Sequence, residues 1–138
     1  MSAKRERIQP DKLHIRRYGE SVLYSQVMVV EVGGTRQVFV AGQTPRDKHG
    51  NCVGKGDMRA QMEQTFKNLD ACLKAAGASW ANVVKTNTYV TDYEAFSKCS
   101  DVRMRYFGVA SPTSTTIQIS RLAQAEAMLE IEMIAVVE

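Results

Sequence analysis

Nine consecutive residues, Leu129-Glu130-Ile131-Glu132-Met133-Ile134-Ala135-Val136-Val137, constrain this chain more than any other segment. Successive side chains of a β-strand point to opposite faces. Leu129, Ile131, Met133, Ala135 and Val137 then line one face without interruption, as a strand lying on a core requires. Glu130 and Glu132 share the other face with Ile134 and Val136. That second face is too apolar for open solvent and too acidic for an ordinary core. It marks a cleft or a seam between subunits, and chemistry is expected there.

The chain of 138 residues is read as one domain, long enough to bury roughly two-thirds of its unfolded surface. Its 44% hydrophobic and 24% charged content is that of a soluble globular protein. No apolar run approaches the ~20 residues that span a bilayer, and residues 1–10 hold no signal-peptide core. A cytoplasmic protein without membrane contact is expected. The net charge of +3 is uneven: residues 1–17 carry six basic against two acidic side chains, a surplus of four, which leaves the rest at minus one. A basic arm can attract phosphate backbones, but no nucleic-acid motif accompanies it, so residues 1–12 are expected to form a solvated, partly flexible arm. Cys52, Cys72 and Cys99 cannot all pair and read as reduced thiols. His14 and His49 stand far from each other and from any cysteine pair, so no metal site is expected.

Along the chain, Leu13-His14-Ile15 reads as a short strand, and 24–32 and 36–41 read as a hairpin turned by Gly33-Gly34. Residues 42–56 have loop chemistry. A helix capped by Asp57 carries Met62, Phe66, Leu69, Leu73 and Ala76 on one stripe and ends at Gly77. A strand over 82–91 follows. Thr91 and Glu94 are spaced as a capping box for a second helix with inner residues Phe96, Cys99, Val102 and Tyr106. Strands at about 113–122 and 127–137 complete the order β-β-β-α-β-α-β-β.

This order implies an α+β fold, a sheet with both helices on one face. Ile117 and Ile119 are expected beneath the helices with the apolar face of the last strand. The uncovered face would then carry Ser114, Thr116, Gln118, Glu130 and Glu132. Because Ile134 and Val136 also lie there, the sheet is expected to pack against copies of itself.

Several ordered segments resemble the Rid family, also called the YjgF-type family of reactive-intermediate deaminases. They are Tyr24-Ser25-Gln26, Ala41-Gly42-Gln43-Thr44-Pro45, Gln61 with Asn68-Leu69, Ala75-Ala76-Gly77-Ala78, Val83-Val84-Lys85-Thr86, Thr91-Asp92 with Phe96, and Glu130-Ile131-Glu132-Met133-Ile134-Ala135. The resemblance implies a chorismate-mutase-like α+β fold and a homotrimer, its sheets forming a central barrel with clefts between neighbours. It implies hydrolysis of enamines or imines such as 2-aminoacrylate to a carbonyl compound and ammonia, without metal or organic cofactor. It further implies that Tyr24 and the backbone of Gly42 contact the substrate and that Glu130 orients water or transfers a proton. Where active members carry a carboxylate-binding arginine this chain has Ser114, and Ser100 stands in place of an asparagine near the cleft. A hydroxyl does not replace a guanidinium that pairs bidentately with a carboxylate.

Imine hydrolysis needs a water, a group to deprotonate it and a proton for nitrogen, and a carboxylate in a partly dry seam suits that work. Glu130 is the first choice, the bland reading being a carboxylate bonded to neighbouring strands or to an arginine across the trimer. Glu132 reads as structural. Tyr24, Ser114 and Thr116 are candidate hydrogen-bonding groups, and Tyr24 reads equally well as interface packing. Arg46, Arg103, Arg105 and Arg121 are candidates for a relocated anion clamp; Arg46, which follows the Gly42-Gln43-Thr44-Pro45 loop, is the foremost of the four, while surface solvation is the favoured reading of each. Two functions follow: a deaminase acting on a larger 2-amino-enoate such as 2-aminomuconate, or a non-catalytic trimer that binds a small ligand or a protein.

Overall fold

A computed structural model describes residues 2–138. In chain order the elements are β1 (Lys4–Ile8), β2 (Arg17–Tyr18), β3 (Ser21–Val22), β4 (Val27–Val32), β5 (Thr35–Gln43), α1 (Met58–Ala75), β6 (Val83–Val90), α2 (Tyr93–Ser97), α3 (Ser100–Phe107), β7 (Thr113–Gln118) and β8 (Leu129–Val137). Six strands form one sheet in the order β1-β4-β5-β8-β6-β7, and β2 and β3 make a separate small hairpin. Only β6 and β7 run parallel, their crossover carrying α2 and α3.

Local chemistry accounts for the elements. Gly33 and Gly34 take φ of 59° and 83°, the left-handed values of a two-residue turn, and bring Val32 opposite Thr35. The Asp57 side chain accepts from the Ala60 N–H to start α1. Gly77, at φ 68°, ends the helix while Ala78 N–H reaches back to the Leu73 carbonyl. Met62, Phe66, Leu69 and Leu73 project from α1 onto the sheet and are fully buried, as are Leu129, Ile131, Met133 and Ala135 beneath them. The apolar face read in the last strand is the floor of the core.

Four sequence expectations are corrected. The basic arm contains an edge strand, with Arg5 opposite Val30 and Arg7 opposite Met28; Met1 lies outside the described residues. Leu13-His14-Ile15 is not a strand, although Leu13 is buried in the core. Thr91 does not cap the second helix: its N–H bonds the Met128 carbonyl as the sheet ends, so Asp92 is the first side chain free to cap and accepts from Ala95 N–H. The helix also breaks into α2 and α3 around Lys98 and Cys99, although Phe96, Cys99, Val102 and Tyr106 all face the core.

A further correction concerns β7. Thr86 pairs with Ser114 and Met133, and Thr88 with Thr116 and Ile131, so Ser114 and Thr116 sit on the helix side. Tyr89 pairs with Ile117 and Glu130, which puts Ile117 on the open side, 47% exposed. Ser114 and Thr116 therefore do not share the face of Glu130. The polar stripe of this edge strand continues the threonine stripe of β6, a pairing that the alternation within β7 alone does not determine.

That stripe makes a prediction. Thr88 is 1% exposed and its hydroxyl has no partner among the described residues. Thr88→Val keeps the shape and removes an unsatisfied group, so unfolding in urea should show a gain of about 1 kcal/mol. A loss would mean that the hydroxyl has a partner.

Candidate active site

Glu130 projects from β8, the strand between β5 and β6, onto the open face of the sheet. The room for it comes from β5, whose register against β8 shifts between Val40 and Gln43. A local irregularity of this kind re-aims side chains. It brings Gly42 against the Glu130 side chain: a Cβ at Gly42 would lie 2.5 Å from Glu130 Oε2 and 2.7 Å from Cδ. The glycine is required by this close approach, since its φ is not left-handed.

Tyr24, Gly42, Arg46 and Glu130 line one small cavity of about 60 Å³, together with Arg16 and Gln124. Four residues singled out in the sequence are thus brought together. Ser100, Ser114 and Thr116 are not among its lining residues. The Ser100 hydroxyl donates to the Ser97 carbonyl at the start of α3, and Ser114 is exposed on the outer strand. A broader hollow of about 450 Å³ lies elsewhere on the open face, beside Phe39, Lys85, Glu132 and Ile134. The Glu130 cavity is the better candidate for chemistry because it combines a perturbed acid with unsatisfied polar atoms.

The two acids of β8 differ in state. Glu132 Oε1 accepts from Asn87 Nδ2 at 2.9 Å and from the Tyr89 hydroxyl at 3.4 Å, which ties it to β6. Glu130 has no such tie. Burial pushes its carboxyl above the ordinary range, the Glu132 charge pushes the same way, and Arg46 opposes both. A carboxyl so placed exchanges protons closer to neutrality.

Buried amides hold the walls. Gln43 Nε2 donates to Gln26 Oε1 at 2.7 Å, and Gln26 Nε2 donates to the His14 carbonyl. From α1, Asn68 Nδ2 donates to the carbonyls of Thr44 at 3.0 Å and Arg46 at 2.8 Å. Asn68→Ala leaves both carbonyls without that donor. We expect a loss of about 2 kcal/mol in denaturant unfolding and weaker ligand binding, whereas unchanged stability would show the loop to be held otherwise. Sequence reasoning noticed Gln26, Gln43 and Asn68 only as parts of resembling segments, and missed His14, Arg16 and Gln124 as wall residues. No local pattern marks those three; only the folding of segments 9–16 and 119–128 over the sheet collects them.

Arg46 is half-buried rather than solvated, with its Nε shielded from water. Cys72 and Cys99 are buried and Cys52 half-buried, all unpaired; burial pushes the Cys72 thiol to about 12. No helix among the described residues is long and apolar enough to cross a membrane.

Residues 16–137 match the family model described as Endoribonuclease L-PSP. A RutC family protein of Pyrococcus abyssi is 38% identical over 112 residues, covering 81% of this chain and 84% of the relative. A 2-iminobutanoate/2-iminopropanoate deaminase of Dermatophagoides farinae is 33% identical over 115 residues, covering 83% and 86%. The crystal structure of RidA from the Antarctic bacterium Psychrobacter sp. PAMC 21119 superposes with a TM-score of 0.79 at 31% identity, over 96% of this chain and 99% of that one. With this fold, and with Tyr24, Gly42 and Glu130 converging on one cavity, the chain belongs to the endoribonuclease L-PSP family, also called the Rid, YjgF or RutC family.

Proposed function

We propose that this protein is a hydrolytic deaminase that converts an enamine or imine to a carbonyl compound and ammonia, with Glu130 as its acid/base group. The observation that carries the reading is the state of Glu130: partly buried, free of a hydrogen-bonded partner among the described residues, and raised in pKa beside a glycine that leaves it room. The deaminase names of relatives support the substrate class.

The chemistry balances with this one group. For an enamine, the protonated carboxyl gives its proton to the β-carbon, and the double bond shifts to C=N. The carboxylate then takes a proton from water as its oxygen adds to the iminium carbon, and passes that proton on to nitrogen. Collapse of the carbinolamine expels ammonia as the C=O bond forms, and its hydroxyl proton goes to Glu130, which returns to its starting protonated state.

A cavity of about 60 Å³ is far smaller than the ~300 Å³ or more of usual ligand sites. In this reading a second copy completes the cleft by covering the open face, where Phe39 and Ile117 are 38% and 47% exposed, and three copies close a barrel. The substrate in this reading is a 2-amino-enoate such as 2-aminomuconate, and Ser114, which does not line the cavity, takes no part in selecting it.

Purified protein should accelerate ammonia release from 2-aminoacrylate, 2-iminobutanoate or 2-aminomuconate generated in place, and Glu130→Gln should not. Release no faster than in buffer for all three, with a ligand still bound, favours the non-catalytic binding reading. Sedimentation as a monomer would remove the completed cleft.

A further inference from the structure

An arginine at a cavity is ordinarily either solvated or paired with an acid. Arg46 is neither. Its Nε is shielded from solvent without a hydrogen-bond partner, and no ion pair among the described residues includes it. Gln124 presents the converse lack in the same cavity: its Nε2 donates to the Gly50 carbonyl, while its Oε1 is buried without a donor. Leaving such groups unsatisfied is costly.

The arrangement is not an accident of a loose loop. Arg46 N–H donates to the Thr44 carbonyl, the Arg46 carbonyl accepts from Asn68, and Arg46 bridges to Cys52 across the loop. The backbone is held while the guanidinium Nε is left without a protein partner. Charge agrees with this: Arg16 and Arg46 line the cavity, and Glu130 is its only acid among the described residues. An unpaired guanidinium N–H, an unpaired carbonyl and a positive balance are complementary to a small ligand carrying a carboxylate and one N–H or O–H.

We propose that Arg46 is the carboxylate clamp of this site, holding a 2-imino or 2-oxo acid with its C2 carbon beside Glu130, while Gln124 Oε1 accepts from the ligand's nitrogen or hydroxyl. The proposal rests on the reading of the Glu130 cavity as a deaminase site and names the group that selects its substrates. A hydroxyl at position 114 is then no obstacle, because the anion is met from the loop after β5.

The test uses the full chain and 2-oxobutanoate, the acid left by hydrolysis of 2-iminobutanoate. In calorimetric titration the wild type should bind 2-oxobutanoate and discriminate against its methyl ester. Arg46→Gln should weaken acid binding roughly tenfold or more and leave ester binding unchanged. Arg46→Lys keeps the charge without the planar fork and should recover part of the loss. In turnover, Arg46→Gln should raise KM more than it lowers kcat. The thermal transition of each variant shows whether the fold is kept. Equal affinity of wild type and Arg46→Gln for the acid, or no preference of the wild type for acid over ester, overturns the proposal. Arginine-dependent binding without ammonia release leaves the clamp standing and removes the deaminase reading instead.

Discussion

Glu130→Gln is expected to abolish ammonia release and at the same time to make the protein harder to melt. The amide keeps the size of the side chain but neither accepts nor returns a proton at working pH, so a loss of roughly 10²–10⁴-fold is expected for removal of an acid/base group. The gain in stability follows from the raised carboxyl. Its causes, burial and then the neighbouring Glu132 charge, both disfavour the ionised form in the folded protein. In acid, below the ordinary carboxylate range, both folded and unfolded states are protonated and the group contributes nothing adverse. As pH rises from that range through the higher folded value, the unfolded state gives up its proton first, and stability falls. Above the folded value the wild type carries the whole deficit and the glutamine variant carries none. Thermal melts should therefore show the variant higher than the wild type towards neutral pH, with the gap closing in acid. The acid limb of the wild-type kcat/KM profile should lie above the usual carboxylate range. A variant with unaltered turnover would remove Glu130 from the chemistry, and one that melts lower at neutral pH would contradict the burial argument.

Gly42→Ala should lose activity about 10²-fold while keeping its fold. The backbone at Gly42 is open to any residue, so alanine adds no left-handed strain. The atoms nearest to the added methyl all belong to the Glu130 side chain, from Oε2 at 2.5 Å to Cγ at 2.9 Å. The carboxylate has to swing aside, and a displacement of about 1 Å in a reacting group can cost that much in rate. Because the effect runs through Glu130, the double variant with Glu130→Gln should be hardly worse than Glu130→Gln alone. Additive losses would assign the glycine a separate contact with the substrate. Full activity of Gly42→Ala would show that the carboxylate has freedom to spare.

The legible parts of this fold are those where one segment carries its own constraint. The alternation of Leu129 to Val137 named the buried face of β8 correctly, and the stripe from Met62 to Leu73 named that of α1, because each pattern answers to a single large core. Gly33-Gly34 and Gly77 were readable since few residues tolerate their backbone angles. The side of the sheet on which Ser114 and Thr116 sit was not readable, for that is decided by the register of β6 against β7. Glu130 stood out as an acid where an apolar residue is normal, whereas the burial of Arg46 depends on Asn68, twenty-two positions away, folding its loop inward. No local feature of the sequence around Arg46 shows that.

The place of β8 has a consequence for assembly. The strand furthest along the sequence joins β5 on one flank and β6 on the other, and Val38 meets Ala135 across nearly a hundred intervening residues. Until those last residues are present, the earlier strands form two separate ladders with no common hydrogen bond. Loop closure over such a span slows folding. The segment that delivers Glu130 is also the one that knits the two halves, so a chain interrupted before Leu129 would lack the proposed acid/base group and leave the sheet open.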